Sequence, residues 1–182
     1  MFEKQRILPA ISTHKDLDLF LASPIEIGIL MNFQLAQLPR LIKTMKERNK
    51  KVFIHLDLIK GLSNDEYGAI FLIQSLGVDG IISIKPRVIE LCKKRNVFAI
   101  FRVFLKDSHS LKQSLMMIQN VKPDAVEILP AVKIDIIEKI KAHTGAMILA
   151  GGLIEDHATI EACMNVGVRA VTTSKTSLWP QT

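Results

Sequence analysis

Short runs of β-branched and other apolar residues alternate along the chain with segments whose apolar positions recur every three or four residues. Runs that are apolar nearly throughout are typical of strands that are covered on both faces, as in a parallel sheet. The pattern predicts eight strands, over residues 7–11, 25–32, 52–58, 80–84, 97–105, 125–129, 146–150 and 170–173.

The segments between these runs carry signals for helices. Asn64, Asp65 and Glu66 precede one segment and Asp107 precedes another, as expected where a polar side chain caps a helix N-terminus. Strands alternating with helices predict the α/β class and a compact (β/α)8 TIM-like barrel, formed as a single domain over residues 1–182. The alternative is a smaller doubly wound sheet, which requires segments 7–11 and 80–84 to be loops.

Composition narrows the class of protein. With 182 residues, 48% of them hydrophobic, the chain is long enough for one domain with a substantial core. No apolar run reaches the ~18 residues of a membrane span, and the charged N-terminus does not resemble a signal peptide. Cys92 and Cys163 lack cysteine or histidine neighbours at metal-ligand spacing. We therefore expect a cytoplasmic protein with no disulfide, metal or membrane partner.

In barrels of this kind the ligand site lies at the C-terminal ends of the strands, which we call the mouth. Side chains there are the natural candidates for ligand binding, because the loops that follow the strands converge on that end. The predicted strands place at the mouth Pro9, Asn32, His55, Asp57, Ser83, Lys85, Arg102, Glu127, Gly151, Gly152, Thr173, Ser174 and Lys175.

Two of the predicted mouth loops favour a phosphate site. Barrels frequently bind phosphate between the loops that follow strands seven and eight. Here those loops carry Ala-Gly-Gly at 150–152 and Thr-Thr-Ser-Lys at 172–175. Two glycines alone indicate only a tight turn, but the hydroxyl-rich loop after the next strand favours a phosphate-binding site. The residues predicted to bind a ligand phosphate are Gly151, Gly152, Thr173 and Ser174.

Polar residues within the predicted strands form a second group. His55 and Asp57 are two residues apart and are predicted to share one face of the third strand. Arg102 and Glu127 lie in phase with apolar positions of the fifth and sixth strands. These four side chains are predicted to recognise the polar part of a ligand. A buried hydrogen-bond network, a divalent metal site and an acid/base pair are the open alternatives, and no known catalytic motif accompanies them.

The charge of the chain is unevenly placed. Lys and Arg number 24 against 18 Asp and Glu, a formal net charge of +6, and many of the basic residues directly precede predicted strands. They are therefore predicted to collect at the N-terminal end of the barrel, where they either contact a polyanion such as RNA or offset helix dipoles. With one Trp and one Tyr, no aromatic stacking surface is predicted. The RNA-binding candidates are Arg48, Lys50, Lys51, Lys93, Lys94 and Arg95.

From about residue 7 to residue 179 the chain resembles the glycerol-3-phosphate-responsive antiterminator family. Several motifs in the right order carry the resemblance, which makes it more specific than any single motif. They are Ile-Leu-Pro-Ala-Ile at 7–11, His-Leu-Asp-Leu-Ile-Lys-Gly at 55–61, Asp-Glu-Tyr-Gly-Ala at 65–69, Gly-Ile-Ile-Ser at 80–83, Glu-Ile-Leu-Pro at 127–130, Ala-Gly-Gly at 150–152 and Val-Thr-Thr-Ser at 171–174.

The resemblance implies a barrel that binds glycerol 3-phosphate and acts on the leader mRNA of glycerol-utilisation genes, preventing premature termination or stabilising the message. It implies no catalysis and no cofactor, and it leaves a homo-oligomer open. It implies that the residues predicted above to bind phosphate hold the ester phosphate of the ligand. It implies that His55, Asp57 and Glu127 bind the rest of the ligand. The alternative is a barrel enzyme acting on a small phosphate ester, an isomerase, lyase or phosphodiesterase with Asp57 and Glu127 as acid and base.

Overall fold

Strands and helices alternate along the whole of the computed structural model, which describes Phe2, residues 5–131 and residues 134–180. The strands are β1 Ile7–Ile11, β2 Ile27–Leu30, β3 Lys51–His55, β4 Gly80–Ser83, β5 Phe98–Phe104, β6 Ala125–Leu129, β7 Met147–Gly151 and β8 Ala170–Thr173. The helices are α1 His14–Ala22, α2 Leu38–Glu47, α3 Glu66–Gln74, α4 Pro86–Lys94, α5 Ser108–Val121, α6 Ile134–His143 and α7 His157–Asn165. Short 3-10 turns cover Leu35–Gln37, Leu56–Leu58 and Thr176–Leu178.

The eight strands form one closed parallel barrel in chain order. Each strand pairs with the next, and β8 pairs back onto β1, with Ile7 opposite Val171. The two segments that a doubly wound sheet would need as loops are β1 and β4, and both are fully paired strands. The predicted (β/α)8 fold is thus confirmed, and the doubly wound alternative is wrong.

The barrel interior is filled from its N-terminal end. Phe2 closes that end with edge-to-face contacts, its ring centroid 5.9 Å from that of Phe53 and 5.4 Å from that of Phe98. Apolar side chains such as Leu8, Ile100 and Leu149 occupy the interior above these rings. A second, larger apolar layer lies between the outer faces of the strands and the helices. The apolar filling leaves the C-terminal end of the interior for polar side chains.

The helix boundaries follow from capping residues. The side chains of Asp65, Asp107 and Asp156 accept backbone N–H groups in the first turns of α3, α5 and α7. Pro39 and Pro86 lie in the first turns of α2 and α4. Proline is tolerated there because backbone N–H groups in the first turn have no acceptor within the helix. Because each helix follows a strand, all of these first turns lie on the mouth side of the barrel.

Two predicted strands are too long. β2 covers only Ile27–Leu30, and Asn32 beyond it has φ +62°, a left-handed conformation that asparagine tolerates better than most residues. β3 ends at His55, and the chain then turns through Leu56–Leu58. Asp57 therefore lies outside the strand, and the prediction that it shares a strand face with His55 is wrong.

The outer layer is open beside β8. The chain after β8 forms only the short turn Thr176–Leu178, followed by Trp179, whose buried indole N–H donates to the carbonyl of Thr173 at 3.1 Å. A groove of about 850 Å³ between α7 and the segment that precedes β2 lies on this flank, away from the mouth. Among the described residues, no helix is both long and apolar enough to cross a membrane.

Candidate functional site

A small pocket opens at the mouth of the barrel. Its volume is about 270 Å³, at the small end of the ~300–1,000 Å³ typical of ligand sites. Its walls combine the polar end of the barrel interior with the loops after β7 and β8. It is lined by Ala10, Ile29, Met31, His55, Ile82, Arg102, Glu127, Gly152, Leu153, Ile154, Glu155, Thr172, Thr173, Ser174 and Lys175.

The floor of the pocket is a buried chain of polar contacts. The hydroxyl of Thr172 donates to Glu127 Oε1 at 2.5 Å. Glu127 Oε2 lies 3.3 Å from Arg102 Nε, within ion-pair distance, and Arg102 Nη1 also donates to His55 Nε2. The register places Arg102 directly opposite Glu127 on adjacent strands, which is why the two side chains meet. The structure thus brings together three of the four predicted polar residues.

The contact with Arg102 decides the state of the His55 ring. A guanidinium only donates hydrogen bonds, so Nε2 must accept and the ring proton must lie on Nδ1. Burial, together with the adjacent positive charge of Arg102, lowers the pKa of His55 from 6.5 to about 3. The floor therefore presents a neutral imidazole at physiological pH.

Three buried polar atoms in this floor lack a hydrogen-bond partner among the described residues. They are His55 Nδ1, Arg102 Nε and Glu127 Oε2. The nearest carboxylate oxygen to His55 Nδ1 is Asp57 Oδ2, 3.9 Å away, which is too far for a hydrogen bond. Arg102 Nε and Glu127 Oε2 face each other at 3.3 Å as an ion pair, whereas His55 Nδ1 has no partner within hydrogen-bond distance among the described residues. Buried polar atoms without a hydrogen bond are rare in folded proteins. Two donors and one acceptor at the base of a pocket suit the hydroxyl groups of a small polyol.

The Asp57 carboxylate bonds the end of β4. Its Oδ1 accepts the hydroxyl of Ser83 and its Oδ2 accepts the backbone N–H of Ile84, each at 3.0 Å. These bonds attach the turn after β3 to the end of β4. The Asp57 side chain does not line the pocket. Its direct contribution is therefore to the shape of the mouth.

The predicted phosphate residues lie around one side of the pocket. Gly152, Thr173 and Ser174 line it directly, and Gly151 lies behind them at the end of β7. Gly152 has φ +73°, which glycine adopts without strain and other residues rarely do. A Cβ on Gly151 would lie 3.0 Å from Glu127 Oε1 and closer still to the hydroxyl of Thr172. Both glycines are therefore required by the close packing of this loop.

Two further residues belong to this side of the pocket. Thr172 faces the interior and bonds Glu127, although sequence reasoning singled out only its neighbours; its spacing of two from Ala170 was the available signal. Lys175 Nζ donates to the backbone carbonyl of Glu155 at 2.6 Å and lies 3.3 Å from its carboxylate. The lysine side chain is 45% exposed, so it can move toward a ligand.

The six predicted RNA-binding residues lie at the N-terminal ends of β3 and β5, or in the last turns of the helices before them. Three of them are engaged within the molecule. Lys50 donates to the carbonyls of Ser23 and Ile25, Lys51 pairs with Glu26, and Lys93 pairs with Asp124. The other three, exposed and without a side-chain partner among the described residues, are Arg48, Lys94 and Arg95. RNA binding at this face stays a prediction.

The neutral state of His55 predicts an acid-sensitive fold. In the unfolded chain the ring binds a proton below pH ~6.5, but in the folded protein it does so only near pH 3. The contribution of His55 to the free energy of unfolding is therefore fully present above pH 6.5 and is lost as the pH falls toward 3. Urea unfolding is expected to give about 2 kcal/mol less stability at pH 5 than at pH 7.

Substitutions separate this effect from other titrating groups. The difference between pH 7 and pH 5 should largely disappear in His55→Gln and should persist in His143→Gln, whose ring is exposed. An unchanged difference in His55→Gln would contradict the assignment of a buried, neutral ring.

Fold and site together define a parallel (β/α)8 barrel with a small polar pocket at its mouth. The chain belongs to the glycerol-3-phosphate responsive antiterminator family, whose model matches residues 7–179. The resemblance found from the sequence motifs is thereby confirmed.

Individual proteins match nearly the whole chain. The glycerol uptake operon antiterminator regulatory protein of Listeria monocytogenes str. 4b F2365 is 35% identical with a TM-score of 0.95, covering 98% of this chain and 96% of its own. A glycerol uptake operon antiterminator-related protein of Thermotoga maritima MSB8 is 29% identical with a TM-score of 0.84, covering 96% and 98%. The Escherichia coli K12 protein YgcP is 27% identical over 179 residues, covering 98% and 94%.

Barrel enzymes share the fold alone. The deoxyribose phosphate aldolase of Aeropyrum pernix, for example, is 14% identical with a TM-score of 0.69 over 94% of this chain and 86% of its own.

Proposed function

We propose that this protein is a regulator that binds glycerol 3-phosphate in the mouth pocket and, so liganded, acts on the leader mRNA of glycerol-utilisation genes. The observation that carries the ligand assignment is the set of three buried atoms without a hydrogen bond that lie beside the loops of β7 and β8. These atoms offer hydrogen bonds to hydroxyl groups, and the loops offer backbone and hydroxyl groups to a phosphate. A glycerol phosphate requires partners for its hydroxyl groups and for its phosphate within one small pocket.

The phosphate is held on the side of the pocket formed by Gly151, Gly152, Thr173 and Ser174. Backbone close to a bare glycine allows N–H groups to reach phosphate oxygens, and the Thr173 and Ser174 hydroxyls can donate as well. Lys175 supplies the positive charge when it exchanges the Glu155 carboxylate for the phosphate. The phosphate therefore replaces a carboxylate as the partner of this lysine.

The glycerol hydroxyls lie on the floor. Glu127 Oε2 accepts one hydroxyl, while His55 Nδ1 and Arg102 Nε donate to hydroxyl oxygens. The bond to His55 Nδ1 satisfies a buried donor that otherwise has no hydrogen bond, and the other two bonds add hydrogen bonds to the buried Arg102–Glu127 ion pair. This proposal uses three of the four polar residues predicted from the sequence, with Asp57 supporting the turn beside them.

Binding of the ligand is coupled to binding of leader mRNA, which prevents premature termination or stabilises the message. A ligand shifts such an equilibrium only through its different affinity for the two states of the protein. A 10- to 100-fold change in RNA affinity corresponds to a coupling free energy of about 1.4–2.8 kcal/mol. Such a regulator works in the cytoplasm, and its effector is the small molecule rather than a cofactor or metal.

A regulator accounts for the pocket better than an enzyme does. The acid/base pair of the enzyme alternative needs both carboxylates at the ligand, but Asp57 is bonded to Ser83 and Ile84 outside the pocket. Glu127 is held by Thr172 and Arg102. Among the described residues, Lys175 is the one lysine that lines the pocket, and it is exposed rather than desolvated as a Schiff-base lysine would be. Turnover of glycerol 3-phosphate on incubation with the protein would favour the enzyme.

Calorimetry tests the ligand assignment. Glycerol 3-phosphate should bind far more tightly than glycerol or inorganic phosphate, since each fragment satisfies only one side of the pocket. Lys175→Met should weaken binding at least tenfold by removing the phosphate cation, and Glu155→Gln should strengthen it by removing the competing carboxylate.

A control keeps this test specific. Lys112→Met removes an equally exposed lysine from α5 and should leave affinity unchanged. Equal affinities in Lys175→Met and the wild type would contradict the placement of the phosphate.

A further inference from the structure

Large apolar side chains are exposed around the mouth of the barrel. Tyr67 is 80% exposed, Leu153 62%, Phe104 49% and Ile84 44%. Tyr67 lies in the first turn of α3, Ile84 directly follows β4, Phe104 ends β5 and Leu153 lies two residues beyond β7. We call these four residues the mouth rim. They are half of the exposed large hydrophobic side chains among the described residues, and their clustering at one end marks an interaction surface.

Positive charge accompanies the rim. The Arg102 guanidinium carbon lies 5.2 Å from the centroid of the Phe104 ring. Arg87, on the first turn of α4, is 84% exposed, and Lys85 Nζ bonds Asn64 on the loop before Tyr67. Exposed aromatic rings interleaved with lysine and arginine suit single-stranded nucleic acid, whose bases stack on the rings while cations contact its phosphates.

Three acidic side chains near the rim are engaged within the molecule. The carboxylates of Asp65 and Asp107 point into their helices, where they accept backbone N–H groups of α3 and α5. Glu66 lies 4.0 Å from Arg87. Lys85, which bonds the neutral side chain of Asn64, keeps a positive charge available to a partner at this part of the mouth.

The rim is physically joined to the pocket floor. Arg102 contacts the Phe104 ring on one side, and Glu127 and His55 on the other. A ligand that bonds the floor restrains Arg102, and Arg102 in turn restrains the ring. Leu153 follows Gly152, so a phosphate bound at this loop also fixes a second rim residue.

We propose that unpaired bases of the leader RNA stack on the mouth rim, above the occupied pocket, and that Arg102 links ligand binding to base binding. This inference rests on the proposed function, because it names where the RNA partner of that function binds. The basic N-terminal face then supplies phosphate contacts to a separate part of the same RNA.

Direct RNA binding tests the rim. Affinity for the leader RNA of a glycerol operon is measured by fluorescence anisotropy at saturating glycerol 3-phosphate, in a salt series. Tyr67→Ala should weaken RNA binding at least tenfold and leave the salt slope unchanged, because a stacked ring neutralises no phosphate. Tyr67→Phe, which keeps the ring, should bind as the wild type does. Phe104→Ala should lower the affinity for RNA, and it should also reduce the change in RNA affinity that glycerol 3-phosphate causes.

Matched controls separate the possible outcomes. Met116→Ala removes from α5 an apolar side chain that is 50% exposed, close to the 49% of Phe104, and it should not change RNA affinity. Arg95→Ala on the N-terminal face should lower the salt slope. Wild-type RNA affinity in both Tyr67→Ala and Phe104→Ala overturns the proposal, as does a change of oligomeric state in these variants with RNA binding intact.

Ligand binding distinguishes failure of the rim from failure of the proposed function. Tyr67→Ala should bind glycerol 3-phosphate as the wild type does, since Tyr67 does not line the pocket. If the wild-type protein itself binds no leader RNA, the RNA part of the proposed function is wrong and the rim has no such partner.

Discussion

Gly151→Ala is expected to lower the affinity for glycerol 3-phosphate at least 100-fold. The added Cβ would lie 3.0 Å from Glu127 Oε1, and it would lie closer still to Thr172 Oγ1, at a separation that Cβ atoms in folded proteins essentially never show. Thr172 must then rotate away from Glu127, which disrupts the floor and the phosphate side of the pocket together. Calorimetric titration measures the loss directly.

The matched control is Gly145→Ala. A Cβ at Gly145 meets no atom within 4 Å, and this glycine lies before β7, at the opposite end of the barrel from the pocket. Its affinity for glycerol 3-phosphate should equal that of the wild type. Retained affinity in Gly151→Ala would mean that the ligand does not depend on this part of the mouth.

Glu127→Ala is expected to destabilise the protein by about 3–5 kcal/mol in urea unfolding at pH 7. The substitution removes the carboxylate that pairs with the largely buried Arg102 and accepts the Thr172 hydroxyl. The guanidinium is then left beside a neutral imidazole, with no counter-charge in the floor. An uncompensated buried charge is among the most destabilising changes that one substitution can make.

Glu161→Ala provides the comparison for a surface pair. Glu161 pairs with Arg6 at 2.7 Å, but both side chains are more than half exposed, so its loss should cost less than about 1 kcal/mol. A double variant, Glu127→Leu with Arg102→Met, should recover much of the stability lost in Glu127→Ala because it removes both charges. Equal stabilities of Glu127→Ala and Glu161→Ala would contradict a buried ion pair.

The barrel could be predicted from the sequence because its signals are local. Continuous apolar runs mark strands covered on both faces, and capping residues such as Asp107 mark where helices begin. The end of β3 could not be predicted in this way. The apolar alternation continues through Leu56 and Leu58, but Asp57 bonds Ser83 and the backbone of Ile84, which turns the chain away from the strand. These partners lie more than 25 residues further along the chain.

The site was predicted less completely for the same physical reason. Strand spacing sufficed to place His55, Arg102 and Glu127 at one end of the interior. It did not single out Thr172, because threonine is common in strands whether or not it faces a ligand. The other features of the site depend on contacts between residues that are distant in sequence. Lys175 meets Glu155 across two loops, and the predicted RNA-binding Lys93 is paired with Asp124.

The measurement that tests the central claim most directly is binding of the leader RNA of a glycerol operon, with and without glycerol 3-phosphate, across a salt series. The account predicts that the ligand changes RNA affinity at least tenfold and that the logarithm of the binding constant falls linearly with the logarithm of salt concentration. An RNA affinity that is independent of glycerol 3-phosphate and shows no salt slope would contradict it.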